Sequence, residues 1–310
     1  MICAYCGNNR KGTKEHIISK GILDLFPECF MTYDYERNEV YPSDPIIKDV
    51  CADCNNNKIS YIDSYAKEMV KKYFTVNYQK DDNLIFEYNY TLIQKMCLKY
   101  AFNDLRSRKK DTNFFDLDIK RFILNKELNK PLSNVTILAG LSINTSPIPD
   151  CMLGNNKLRW CCNPLFLSNS IIENIDYYSG KYILRKDNKP QRFEKYALSF
   201  LIRLNSLQLL MICWDKNISE EQLFQNNIIL EIQYPYTKLT PNGKTSLSRC
   251  TSELTYAIEQ LIDVSWGQSI FDDISYMRGT FSDNAQLFLS EIEKHWKAEE
   301  QSLAKLHPRK

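Results

Sequence analysis

Apolar residues recur along this chain at two different periods, and the periods mark out its elements. From Ala52 onward, Ile59, Ile62, Tyr65, Ala66, Met69, Val70 and Tyr73 fall on one face at three- and four-residue steps, which predicts a helix. Residues 91–105 read as a second helix, followed by the basic run Arg106-Ser107-Arg108-Lys109-Lys110. Val135–Leu141, Leu158–Cys162, 182–184 and 228–232 carry the β-branched and aromatic content of strands. Residues 196–214 are apolar almost throughout and break at Asn205-Ser206. They fit a strand hairpin or a helix followed by a strand, and periodicity does not choose between them. A last stripe of Leu289, Ile292, Trp296 and Leu303 predicts a final amphipathic helix started by Ser282-Asp283, which packs on its own domain or serves a homodimer.

The first 75 residues are built from shorter pieces. Cys3 to Cys6 predicts a tight knuckle completed by Gly7-Asn8-Asn9. Residues 15–18 read as a short strand, and Ser19 caps a brief helix that runs to Leu25, before Pro27. Glu39–Tyr41 reads as the second strand, ended by Pro42-Ser43-Asp44-Pro45. The expectation is an α+β protein in two parts. Residues 1–75 form strand, loop, strand and helix pinned by cysteines at both ends; residues 76–310 form a larger α+β domain with a mixed or antiparallel sheet.

Composition narrows the class without naming it. The 310 residues are 44% hydrophobic and 25% charged, ordinary for a globular protein with a sizeable core. A net charge of +2 does not mark a nucleic-acid binder, so any DNA surface must be a local patch. Met1-Ile2-Cys3 leads straight into the first cysteine pair, and no apolar run approaches the roughly 20 residues of a membrane span. With eleven cysteines, an odd set, the expectation is reduced thiols in a cytoplasmic protein, with no membrane partner.

Two Cys-x-x-Cys pairs, Cys3-Ala4-Tyr5-Cys6 and Cys51-Ala52-Asp53-Cys54, lie 44 residues apart. Two thiolates at i and i+3 in a turn can face one ion, so the pairs predict a tetrahedral structural Zn²⁺ site; the plain alternative is four small buried hydrophobes. Cys161 and Cys162 would face opposite sides of a strand, and Cys29, Cys97, Cys151, Cys213 and Cys250 read as core thiols.

Only three histidines are present, and His295 and His307 fall in the terminal helix. His16 follows an acid, Glu15, inside the cysteine-bracketed unit. An imidazole suits deprotonation of water near neutrality, and a carboxylate with an amide oxygen suits a hard divalent ion. Asn55, on the first turn of the predicted helix, is the candidate second ligand. Lys14 and Lys20 flank this site, as does Lys11, and are better phosphate contacts by position than the 106–110 run, which with Lys120 and Arg121 reads equally well as solvated surface.

Cys-x-x-Cys, then Glu15-His16-Ile17-Ile18, then Cys-x-x-Cys-Asn55-x-x-Lys58 resembles the zinc-stapled branch of the HNH endonuclease family over residues 1–70. The resemblance implies a ββα-metal fold that cuts phosphodiester bonds with one divalent ion, Mg²⁺ or Mn²⁺. It implies that His16 is the general base and that Glu15 and Asn55 are ligands of the catalytic ion. The four cysteines would hold zinc, and Lys58 would steady the helix or a phosphate. Two departures stand out. Glu15 replaces the more usual Asp, and no middle asparagine is evident; Asp44 and Asp49 lie nearby and Asn38 farther off. Asn56 rivals Asn55 if the helix phase slips by one residue. A small nuclease on a larger domain is similar to effectors of bacterial anti-phage defence, which implies DNA as substrate and a sensor or ATPase as partner. The runner-up is a zinc-stabilised module that binds nucleic acid or protein without cutting.

Overall fold

The chain is described by a computed structural model over residues 1–27, 32–34, 39–41, 44–76, 78, 82–141, 158–162, 172–176, 181–184, 193, 195–233 and 237–248. The predicted final helix, with His295 and His307, lies outside the described residues, as do Cys29, Cys151 and Cys250.

After the cysteine knuckle come β1 (Gly12–His16) and the short α1 (Lys20–Leu23), then the hairpin β2 (Thr32–Asp34) and β3 (Glu39–Tyr41). β4 (Ile46–Cys51) runs into a wide π-helical turn over Asp53–Lys58 and then α2 (Ser60–Tyr73). The strand, loop, strand, helix order is therefore present, but the strand expected second, Glu39–Tyr41, is not the one that leads into the helix. Glu39–Tyr41 is a strand that pairs with β2, while β1 pairs antiparallel with β4, Glu15 opposite Ile47 and His16 opposite Ile46. The reason lies in side chains: Ile47, Val50 and Cys51 of β4 bury themselves beneath the knuckle. The two strands approach closely at Gly12, where a β-carbon would meet the Lys48 carbonyl and the Met1 sulfur. β1 also starts and ends earlier than the expected 15–18.

β5 (Asn83–Glu87) and α3 (Tyr90–Ser107) follow, with Asn89 capping α3 by accepting from the Leu92 amide at 3.0 Å. α4 (Leu117–Leu124) is capped by Asp116, which accepts from the amides of Asp118 and Ile119 at 3.0 Å. Then come β6 (Val135–Leu141), β7 (Leu158–Cys162), β8 (Ile172–Asp176), β9 (Lys181–Leu184), β10 (Tyr196–Leu204), β11 (Leu207–Trp214), α5 (Glu220–Gln233), β12 (Thr237–Lys238) and β13 (Lys244–Ser248).

One antiparallel sheet of five strands, in the order β12-β6-β11-β10-β7, organises the later chain, and β13 pairs with β5. Residues 196–214 form the hairpin rather than helix plus strand: Leu204 pairs with Leu207 across the two-residue turn Asn205-Ser206. Asn205 takes φ +54, a conformation that Asn tolerates, and its amide donates to the Phe74 carbonyl at 2.8 Å.

Residues 228–232 are a correction. They are helical, the last turns of α5, not a strand. Ser219 starts that helix by accepting from the Gln222 amide at 3.1 Å while Gln222 reaches back to the Ser219 amide at 3.3 Å. This reciprocal cap overrides the β-branched run at its other end.

α3 is the central helix. Fourteen of its eighteen residues are buried, and it packs against α2, α4, β4, β7 and β10. A helix buried on all sides lacks the single stripe of a surface helix. One hydrophobic core runs without a break from Cys3, Ile18 and Val50 through Ile93, Leu98 and Phe102 to Phe200, Leu209 and Leu247. The opposite face of the sheet is covered by α5 through Leu138, Leu201, Leu210, Ile212, Trp214 and Leu230. No helix among the described residues is long and apolar enough to cross a membrane.

Candidate metal centre and active site

The knuckle closes because the Gly7 amide returns to the Cys3 carbonyl at 2.9 Å, with Gly7 at φ +73, where it needs no β-carbon. β4 then delivers Cys51, and the π turn delivers Cys54. The Sγ atoms of Cys3, Cys6, Cys51 and Cys54 all lie within 4.8 Å of one another, positioned to bind one metal ion. Four thiolates are the donor set of structural zinc.

The electrostatics agree. Burial works against ionising Cys3, but amides of Cys6, Cys51 and Tyr5 bring its thiol down from 9.0 to about 7. The Cys51 amide lies 3.4 Å from the Cys3 sulfur. Cys54 moves oppositely: burial first, then the neighbouring Cys51 and Cys6 thiols, push it up. Four thiolates cannot coexist there without a cation to compensate them, and one divalent ion does so.

His16 ends β1 and is partly exposed. Its Nε2 lies 3.5 Å from Asp44 Oδ2, and Lys20 Nζ lies 2.9 Å from the same oxygen. Asp44 and then Asp24, 3.0 Å from the ammonium, hold Lys20 above the ordinary lysine value. Of the two acids near the missing middle position, Asp44 therefore faces the imidazole. Asp49 instead pairs with Arg106 at 2.6 Å. The His16 backbone is fixed on both sides: its carbonyl accepts from Asn103 at 3.0 Å, and the next amide, Ile17, donates to the Pro45 carbonyl at 3.0 Å.

Glu15 alternates to the other face of β1 and is buried. Its Oε1 meets Lys99 Nζ at 2.7 Å and accepts from Asn103 at 3.2 Å. Lys99, with no exposure, also grips Asp63 at 2.7 and 2.8 Å. The structure thus does not bring the Glu15 carboxylate together with the His16 ring; it spends that carboxylate on a buried lysine from α3.

Asn55 donates from Nδ2 to Thr13 Oγ1 at 3.0 Å and to the Lys14 carbonyl at 2.9 Å, which ties the π turn to β1 two residues before His16. Both amide protons are spent there, so the carbonyl oxygen is the end suited to a cation. Asn56 is exposed. Lys14 is exposed on β1. Lys58 pairs within its own turn to Asp53 at 3.1 Å and helps steady that turn. Only Lys109 and Lys110 of the basic run are exposed: Arg106 lies over the Phe102 ring at 4.2 Å and bonds Asn103 and Asp49, and Arg108 pairs with the buried Asp104 at 3.1 Å.

Lys99 and Asn103 were not singled out by the sequence reading. Their signal was the polar row Lys95, Lys99, Asn103 at four-residue steps along one face of the helix.

Compared with protein-family models, curated proteins and solved structures, the chain matches none of them.

Proposed function

We propose that the chain is a metal-dependent endonuclease of the HNH type, hydrolysing phosphodiester bonds of DNA. The observation that carries this reading is His16 at the end of β1, its ring facing Asp44 at 3.5 Å, on a β-β-α unit pinned by four clustered cysteines. In this reading His16 accepts the proton of the attacking water, and Asp44 orients the imidazole and stabilises it once protonated. Lys20 and Lys14 attract the phosphate. A bound Mg²⁺ or Mn²⁺ would neutralise charge developing on the leaving oxygen. Asn55, through its carbonyl oxygen, and Asp44 are the groups that could hold it; Glu15 would first have to leave Lys99. Zinc in the cysteine cluster keeps β1, β4 and the π turn in register and takes no part in bond breaking.

One observation favours the second reading, a zinc-stabilised module that binds nucleic acid or protein without cutting: the carboxylate that the resemblance assigns to the catalytic ion is buried against Lys99. One experiment separates the two. Plasmid DNA is incubated with the full chain in Mg²⁺ or Mn²⁺, alongside His16→Ala. The enzyme reading expects nicking that falls at least about 100-fold in the variant, the scale of a lost general base. Equal nicking by both proteins removes His16 from the chemistry, and none by either leaves the binding module.

A further inference from the structure

We propose that Asn103 of α3 is a positioning residue for the His16 site, fixing the end of β1 through a fully committed buried amide. The side chain has no solvent exposure. Its two amide hydrogens go to Glu15 Oε1 at 3.2 Å and the His16 carbonyl at 3.0 Å. Its oxygen accepts from the Tyr5 hydroxyl at 2.8 Å and from Arg106 at 2.6 Å. Two donors face one end and two acceptors the other, so only one orientation of the amide satisfies all four. Arg106 extends the hold to Asp49 of β4. One side chain therefore joins the knuckle that carries Cys3 and Cys6, the strand that carries His16, and the strand that leads to Cys51.

The consequence for the site is geometric. His16 is the last residue of β1, where the chain leaves the ladder and a carbonyl would otherwise swing. Asn103 holds that carbonyl, and Pro45 holds the following amide, so the backbone that carries the ring is fixed beside Asp44, next to Pro45. A general base must sit within about 0.5 Å of its working position, and residues outside the reacting shell supply that precision. Sequence spacing alone does not suggest this role, because Asn103 stands 87 residues from His16.

The proposal rests on the nuclease reading for its kinetic arm only. The full, zinc-loaded chain is labelled with ¹⁵N-histidine, and the His16 ring signals are those that His16→Ala removes. Two variants are compared with wild type. Asn103→Asp keeps size but has nothing to donate to Glu15 or the His16 carbonyl. Tyr5→Phe removes one hydrogen bond to the amide and keeps the ring packed against Phe102, 5.2 Å away, so it retains the fold if Asn103→Asp does not. Asn205→Ala, in the distant hairpin turn, serves as a control of lowered stability. The expected result is a shift of the His16 ring signals from their wild-type positions in both variants and not in the control. Plasmid nicking should show kcat down about tenfold for Asn103→Asp and about threefold for Tyr5→Phe, with KM within about twofold. If both variants leave the His16 signals and kcat where the control leaves them, or raise KM alone, the proposal fails. If wild type does not cut DNA, the nuclease reading fails instead, and the ring signals alone decide whether Asn103 positions His16.

Discussion

Replacing Lys99 by Met tests whether the buried charges hold β1 to α3. The methionine keeps most of the stem, so the change is mainly electrostatic. Asp63, at 26% exposure, retains water and the Tyr100 hydroxyl at 3.4 Å. Glu15, at 5%, retains only Asn103. An uncompensated buried charge costs about 3–5 kcal/mol, and the surviving charge-assisted hydrogen bond puts the expectation at the lower end, about 3 kcal/mol. With an m-value of about 3 kcal/mol/M, the urea midpoint of the zinc-saturated chain should fall by about 1 M at pH 7.5. Adding Glu15→Gln removes the stranded charge, so the double variant should recover most of the loss. The pH dependence has a definite sign. Burial opposes the charge on Lys99, yet Asp63 and Glu15 outweigh it and hold the ammonium above its ordinary 10.5. A base raised in the fold contributes fully below its unfolded value and loses that contribution as pH rises through the folded one. The gap between wild type and Lys99→Met should therefore be flat from neutrality to about pH 10 and close only above it. A loss under about 1 kcal/mol, or a double variant no more stable than the single one, would refute the reasoning.

One turn away, Lys95 behaves oppositely: burial, offset only in part by Glu127, brings it from 10.5 down to about 8, and its ammonium donates to the Asn125 carbonyl at 2.7 Å. Its charge penalises the fold fully below pH 8 and ceases to as pH rises toward 10.5, so Lys95→Met should stabilise by about 1–3 kcal/mol at pH 7 and by less at pH 10 in urea titrations. The purified chain should carry about one zinc, and chelator treatment and Cys54→Ser should lower the thermal midpoint to the same value; a midpoint indifferent to added zinc contradicts the metal centre. Asn205→Ala should cost about 2–3 kcal/mol, from the left-handed backbone and the stranded Phe74 carbonyl, and Asn205→Gly should recover the backbone share only, both read as urea midpoints.

Much of the framework was legible in the residues. Val135–Leu141 and Leu158–Cys162 fall where β-branched and aromatic runs put them, the stripe from Ile62 to Val70 faces the core, and the cysteine pairs converge as their spacing implies. What the sequence hid was partnership. Nothing local distinguishes Glu39–Tyr41 from Ile46–Cys51 as the mate of β1; burial of Ile47 and Val50 beneath a distant knuckle decides it. The 228–232 run misled because local propensity is weak against a helix already nucleated at Ser219. At the site, the structure sets Asp44 beside the His16 ring, a pairing that chain order only hinted at. The partner of Glu15 could not be read from its neighbours, because Lys99 lies 84 residues on, in α3.

The lysine that answers Glu15 has a consequence for inheritance. A cysteine-stapled unit of some 75 residues looks portable, an insert that could pass from one protein to another with its chemistry intact. This one leaves a carboxylate and a carbonyl that only a foreign helix satisfies. Grafted onto a new apolar surface in place of α3, it would carry a buried negative charge with no answer. Ancestry and engineering alike must move the knuckle, the strand and α3 as a single piece, or rewrite residue 15 on the way.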